Sequence, residues 1–256
     1  MLALISDIHS NMEALSAVLA DIESRGIDRI LCLGDVVGYG PDPGGCLDVI
    51  MDRCTTVIMG NHDCATLYEP SRFNIGAENA IFWTRSQLES ESDPGQIARR
   101  WGFLGSLPVR EVTDGEEFGF REILLAHGSP RRPINEYLFP DDVHSSPGKI
   151  AASLERCEHI CFVGHTHIPG VFTESLEFLM PEDIDNVYET SSEKALINVG
   201  SVGQPRNGDP RAGYVTVEGG KVTFVRVKYD VQTTMNKVYA IAELDDYLGT
   251  RLQDGR

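Results

Sequence analysis

The sequence predicts an α/β fold, on three observations. Short apolar runs alternate with helix-period patterns from the first residues, so strand–helix–strand–helix–strand is completed within the first 60. That order pairs strands in parallel through right-handed crossovers. The 256 residues are 41% hydrophobic, and a chain of this size buries about three quarters of its extended surface, enough for a core without staples. No stretch approaches the ~18 consecutive apolar residues that span a bilayer.

Residues 2–6 (Leu-Ala-Leu-Ile-Ser) read as a buried strand. Ser10 and Glu13 form an S-x-x-E capping box, opening a helix through Ala14, Leu15, Val18, Leu19 and Ile22 that Gly26 stops. The next strand is 29–33, the Gly/Pro-rich 38–45 is a loop, a short helix runs to about Met51, and Thr55–Met59 is the third strand. Residues 64–106 are predicted helical, with Ala77, Ile81, Phe82, Leu88, Ile97, Trp101 and Leu104 at helical spacing as core. Strand-like runs come next at 120–126, 159–163, 170–173, 195–199, 213–217 and 222–228, interrupted by a helix at about 147–156. The stretch 174–193 carries seven acidic residues and no basic one, which predicts a solvated hairpin or loop. A helical segment at about 231–252 closes the chain. With no internal repeat and no linker, residues 1–256 are expected to form one domain, with 64–106 as a helical insertion.

Charge and cysteine usage narrow the partners. Lys plus Arg is 22 and Asp plus Glu is 39, a net of −17. Such a field repels duplex nucleic acid but not a small anion drawn to metal ions. The six cysteines form no C-x-x-C pair, and Cys32 and Cys161 lie in apolar runs as reduced, buried thiols. Met-Leu-Ala-Leu-Ile-Ser-Asp has no basic leader followed by a long apolar core, so no signal peptide is expected and a cytoplasmic location is.

Six short polar elements stand at the ends of the apolar runs. They are Ser6-Asp7-Ile8-His9, Leu33-Gly34-Asp35, Gly60-Asn61-His62-Asp63, Ala126-His127-Gly128, Gly164-His165-Thr166-His167 and Asn198-Val199-Gly200-Ser201. Five of the seven histidines fall in them, which ordinary turns do not collect; His144 and His159 match none and read as a loop and a strand-edge residue. In an extended segment i and i+2 share a side, so Asp7 with His9 and His165 with His167 offer paired ligands beyond the carboxyl ends of strands. Imidazole, carboxylate and amide oxygen without thiolate suit Mn²⁺, Fe²⁺, Zn²⁺ or Ni²⁺. Seven ligands are too many for one divalent ion and right for two that share a carboxylate. Two such ions with two carboxylates and one hydroxide leave a charge of about +1, attractive to phosphate.

In their order along residues 5–168, the D-x-H, G-D, G-N-H-D, H and G-H-x-H blocks resemble those of the calcineurin-like metallophosphoesterases. Ser-Asp-Ile-His-Ser-Asn at the start and Asn-Val-Gly-Ser-Val-Gly-Gln-Pro-Arg at 198–206 are similar to the small bacterial and archaeal phosphodiesterase-like branch. The likeness spans about residues 1–230. It implies a four-layer α/β/β/α sandwich of two mixed sheets flanked by helices, with two metals between loops at one end. It further implies that Asp7, His9 and His167 hold the first metal, that Asn61, His127 and His165 complete the second, and that Asp35 bridges them. His62 would not bind metal but stabilise the transition state or protonate the leaving oxygen. A metal-bridging hydroxide would attack phosphorus in line, with no protein nucleophile.

The phosphoprotein phosphatases of the wider family carry Gly-Asp-x-x-Asp-Arg-Gly at the second block. Here Gly38 stands in place of the second Asp and Tyr39 in place of the Arg. The usual carboxylate partner of His62 and a bidentate clamp for a dianion are both missing, which favours a small diester or nucleotide over a phosphoprotein. The alternatives are a phosphomonoesterase or a dinucleoside-polyphosphate hydrolase with the same centre, and a non-enzymatic scaffold of this fold, which would have lost ligands that are all present here. Arg206 and Tyr39 are the candidate substrate contacts; neither a duplex nor a membrane is an expected partner.

Overall fold

Leu2 and Leu4 face one way from the first strand and Ala3 and Ile5 the other, and the two faces enter different cores. This two-residue period, repeated across two sheets, is what layers the molecule. The computed structural model describes all 256 residues. The amino-terminal half runs β1 (Leu2–Ile5), α1 (Met12–Ser24), β2 (Ile30–Cys32), α2 (Pro43–Arg53), β3 (Thr56–Val57), α3 (Asn61–Leu67), α4 (Ile75–Glu89), α5 (Pro94–Ser106), β4 (Arg110–Asp114) and β5 (Glu122–Ala126). The rest runs α6 (Asp142–Ser145), α7 (Pro147–Leu154), β6 (Ile160–Val163), β7 (Gly170–Thr173), β8 (Phe178–Leu179), β9 (Val187–Glu189), β10 (Ala195–Asn198), β11 (Ala212–Glu218), β12 (Lys221–Val227), α8 (Val231–Tyr239) and α9 (Asp246–Asp254).

The strands form two six-stranded mixed sheets, ordered β3-β2-β1-β11-β12-β9 and β4-β5-β6-β10-β7-β8. Between them lies a core of Leu2, Leu4, Leu31, Phe162, Ile197, Val215 and their neighbours. The outer face of the first sheet packs on α1 and α2 through Ala3, Ile5, Leu15, Val18 and Ile50. The outer face of the second packs on α7 through Cys161, Val163, Leu196, Ile150 and Leu154. The result is the α/β/β/α sandwich that the resemblance implies. Cys32 and Cys161 are buried and free, and no helix is long and apolar enough to cross a membrane.

Each sheet contributes one parallel trio. β1 pairs β2 and β2 pairs β3 in parallel, with Leu4 opposite Leu31; β6 likewise pairs both β5 and β10. Six carboxyl ends therefore meet at one edge of the sandwich, and each continues into one of the six polar elements. The antiparallel strands return the chain.

Several local expectations are corrected. Helix α1 is capped by Asn11, whose side chain accepts from Ala14 N at 3.1 Å. Ser10 is instead held at φ +54 by the turn before it, and Glu13 turns to Lys237 and Thr234. Helix begins at Asn61, not at residue 64. Phe82 points outward, 43% exposed, while Ile81 and Trp83 beside it are buried. Residues 231–252 make two helices, α8 and α9, broken between Tyr239 and Asp246. Strand β4 gives no signal of itself because Arg-Glu-Val-Thr-Asp carries no apolar alternation; it is an exposed edge whose charges discourage further pairing. The acidic stretch holds the short strands β8 and β9 within its turns.

Candidate metal centre

The centre is assembled by loops that turn over as soon as each strand ends. Eleven non-glycine residues have positive φ, and seven of them are here: Asp7, His9, Ser10, Asp35, Tyr39, His165 and His167. The convergence expected of extended i, i+2 pairs is thus reached differently. Asp7 and His9 sit at φ +53 and +49, and His165 and His167 at +68 and +61. Left-handed turns let the backbone of one loop bond the next: Ile8 N and His9 N both donate to Asp35 O, at 2.9 and 3.0 Å. His165 N donates to the Asp7 carboxylate at 3.0 Å, which joins the two sheets. Asn61 and His62 are likewise not extended but open α3. Two glycines are required by approach: a Cβ on Gly60 would overlap Asp35, and one on Gly164 would overlap Ser6 and Asp7.

All seven proposed ligands are buried and converge. His9 Nε2 lies 3.1 Å from His167 Nε2, and His167 Nε2 lies 3.1 Å from Asp7 Oδ1. His127 Nε2 lies 3.0 Å from Asn61 Oδ1, 3.2 Å from His165 Nδ1 and 3.3 Å from Asp35 Oδ2. Asp35 Oδ2 is also 3.7 Å from His9 Nε2, so it faces both halves. Such separations are close to the edges of a ligand polyhedron, about 3.0–3.5 Å when each donor is ~2.1 Å from a common ion.

Tautomers sharpen the fit. A carbonyl can only accept, so Nδ1 of His9 donates to Val37 O (3.3 Å), Nδ1 of His127 to Leu33 O (2.9 Å) and Nδ1 of His167 to Gln204 O (2.5 Å). Each ring then turns its Nε2 inward, toward the carboxylates and the other ring nitrogens. A cluster so rich in acceptors suits a cation, and the trios Asp7–His9–His167 and Asp35–His127–His165 could each hold one.

Electrostatics agree. Burial opposes charge on Asp7 and Asp35, yet the imidazoles, chiefly His167 for the first and His127 for the second, hold both carboxyls below their usual range. Burial pushes His9 well down and His165 down to about 3. His127 goes the other way: against its burial, the Asp35 and Asp7 carboxylates raise it to about 9.

His62 stands apart from this donor set but close to it, forming a third trio with His9 and Asp35. Its ring packs on Tyr39 (centroids 4.3 Å), His9 (4.8 Å) and Phe73 (5.0 Å). Its Nδ1 is buried without a partner against Gly38, where any Cβ would collide with it. Aromatic packing, not a carboxylate, therefore orients His62. Burial lowers its pKa to about 4, so the ring is neutral at pH 7. Arg206 is braced by the Gln204 side chain at 2.6 and 3.2 Å and lies 5.9 Å from the Tyr39 ring. Its charge is near enough to lower both His62 and His167.

Some members of the polar elements serve the scaffold of the site and not the donor set. Asp63 accepts from the main-chain N–H groups of Asp35, Val36, Val37 and Gly60 at 2.7–3.3 Å, pinning the Asp35 loop to α3. Asn198 donates to Gly164 O and Thr166 Oγ1, holding the His165–His167 turn. Ser201 donates to Asp7 O. Tyr137 stacks on His165 at 3.7 Å and 20°. Nothing in the spacing around Tyr137 or Phe73 announces them. His159 is a structural residue, bonded to Arg121 N and Ser191 O, and His144 is exposed.

Residues 1–220 match the model of the calcineurin-like phosphoesterase superfamily domain. The whole chain is 40% identical to an uncharacterized protein of Methanocaldococcus jannaschii, over 98% of that protein. Among solved structures, a metallophosphoesterase from Sphaerobacter thermophilus is 36% identical with a TM-score of 0.79, covering 100% of this chain and 98% of that one. A hypothetical protein from Pyrococcus horikoshii, 20% identical, has a TM-score of 0.74 over 100% of this chain and 98% of its own, a likeness of fold.

Proposed function

The chain belongs to the calcineurin-like phosphoesterase superfamily and is a metal-dependent phosphoesterase; from that premise we propose that it hydrolyses a phosphodiester, in a small diester or nucleotide, at a centre of two divalent ions. The observation that carries this is the buried, acceptor-rich cluster, with three imidazoles held Nε2 inward by main-chain carbonyls and Asp35 facing both halves. Asp7, His9 and His167 would hold one ion, Asn61, His127 and His165 the other, and Asp35 both. When bound, the ions supply Lewis acidity toward the phosphoryl oxygens and lower the pKa of water enough to make a nucleophile.

The protein's own side chains do the rest. With Nδ1 walled off by Gly38 and no acceptor there, neutral His62 keeps its proton on Nε2 and donates a hydrogen bond to an oxygen of the ester. It acts as a fixed dipole where charge develops, not as a mobile acid. Arg206, steadied by Gln204 and Tyr39, adds one positive charge at the rim beside His167. Its single positive charge matches a monoanionic diester, whereas a dianionic monoester would leave one charge unmatched at the rim.

The test is reconstitution. Protein stripped with a chelator and checked by elemental analysis should lose hydrolysis of bis(4-nitrophenyl) phosphate and regain it with Mn²⁺. It should bind two ions per chain and act faster on the diester than on 4-nitrophenyl phosphate. Full activity in verified metal-free protein overturns the proposal.

A further inference from the structure

Beside the centre is a cavity of about 390 Å³ whose floor includes Asn61 and His165. That is the small end of the range for ligand sites, about 300–1,000 Å³, and matches a ring with an attached sugar more than a protein segment. Its aromatic walls come from two loops. Phe73, between α3 and α4, meets the His62 ring nearly edge-on (5.0 Å, 80°). Tyr137, between β5 and α6, lies parallel to His165 on one side and to Phe139 on the other (5.3 Å, 6°). Tyr137 remains 41% exposed although it lines this polar cavity. Large rings left uncovered beside a site mark ligand contact. The remaining lining is polar, with the Asn135 amide and Arg72 among it. Arg72 is itself held at φ +68, a strained conformation of the kind found at ligand clamps.

The combination selects a chemistry. An acyl chain would want apolar walls throughout, and a bare sugar, which can pack its C–H face on a ring, is an outcome that the comparisons below, of esters and of ribose 5-phosphate, separate. A planar heteroaromatic ring uses both the rings and the polar lining: with the faces of Tyr137 taken by His165 and Phe139, it packs on Phe73 and against the Tyr137 edge, and its own edge pairs with an amide that can donate and accept. We infer that this cavity is a base-binding subsite, taking the nucleobase of a nucleotide whose phosphoester lies over Asn61 and His165. The inference rests on the proposed location of the reacting phosphate and names the substrate class, a nucleoside phosphodiester.

Two esters with one leaving group separate the possibilities: the 4-nitrophenyl diesters of thymidine 5′-phosphate and of methyl phosphate, with Mn²⁺-loaded protein. The subsite predicts a kcat/KM about tenfold to hundredfold higher for the nucleoside ester, chiefly through KM. Phe73→Ala should reduce the nucleoside ester at least about fivefold more than the methyl ester, Phe73→Tyr should restore the preference, and Asn135→Ala should weaken it. Equal kcat/KM for both esters in the unaltered protein overturns the subsite while leaving the phosphodiesterase reading intact. An equal loss on both esters in Phe73→Ala overturns it too, since that variant would then act through His62. If neither ester is cleaved, the reading of the centre fails, and the subsite is decided by binding. Saturation-transfer NMR of AMP on metal-free protein should mark the adenine protons, with no such signal from the sugar of ribose 5-phosphate; absence of the adenine signal refutes it.

Discussion

Replacing Asp63 by Asn tests whether this buried carboxylate is what holds the Asp35 loop. Oδ2 accepts from Asp35 N (2.7 Å) and Gly60 N (3.0 Å), and Oδ1 from Val36 N (3.0 Å) and Val37 N (3.3 Å). All four partners are donors. Burial and the neighbouring Asp35 charge push the Asp63 carboxyl up to about 7, but a carboxyl proton would find no acceptor among these groups, so the loop requires the anion. The amide introduced by Asp63→Asn would keep one oxygen and aim its NH₂ at two N–H groups. Two charge-assisted bonds at ~1.5–3 kcal/mol each make the loss about 3–6 kcal/mol. That is a large part of the ~5–15 kcal/mol that holds a typical domain, and at ~2–4 °C per kcal/mol Tm should fall by roughly 6–24 °C. Scanning calorimetry of chelated protein measures this directly. Elemental analysis of the variant at low temperature should also show weaker metal retention, because the Asp35 main chain is no longer fixed. A Tm within about 2 °C of the unaltered protein would refute the reasoning, since four buried donors would then have been satisfied without the charge.

Two further outcomes rest on the ligand geometry. Asp35→Asn should weaken binding of both ions, because Oδ2 faces His9 and His127 alike, whereas Asp7→Asn should weaken mainly one; calorimetric titration with Mn²⁺ reads the difference, and wild-type binding of two ions by both variants would discard the assignment. His62→Ala should keep its metal content while kcat falls about 10²–10³-fold. As a neutral donor to the ester, His62 should cost the same factor on nitrophenyl and alkyl leaving groups, and a much smaller loss on the nitrophenyl ester would restore a proton-transfer role.

The sequence exposes the chemistry more fully than the scaffold that supports it. Asp7, His9, Asp35, Asn61, His127, His165 and His167 can be listed in advance because each comes after an apolar run, and a strand in an α/β sheet delivers the residues beyond its carboxyl end to one edge. The same logic marks Asp63, in the Gly60–Asp63 element, but not its role. Three of its four hydrogen bonds run to main-chain groups 26–28 residues away, and main-chain donors leave no mark on composition. Tyr137 and Phe73 escape for a related reason: an aromatic residue in a loop looks the same whether it meets solvent or an imidazole. The Ser10–Glu13 motif misleads because Asn11, one residue later, is an equally good cap and the turn has already claimed Ser10.

The largest departure from expectation also says most about the centre. Extended pairing would place ligands at no conformational cost, but Asp7, His9, Asp35, His165 and His167 are all left-handed. A non-glycine residue there costs roughly 1–2 kcal/mol, so five together store an appreciable fraction of a domain's stability. Asp and His are among the residues that tolerate this conformation best, and they are also the ones that bind hard and borderline cations. Selection for ligands and tolerance of the turn therefore coincide at the same positions. The strain is held in place by bonds that cross between loops, Asp63 to the Asp35 loop, Asn198 to the His165 turn, Ser201 to Asp7. Folding these loops crowds carboxylates and ring nitrogens together, and a ligand that binds only the folded state stabilises it by an amount that grows with the logarithm of its affinity. Divalent ions would relieve that crowding most, so the centre is best understood as part of what determines the fold at this edge, not as a site added to a finished scaffold.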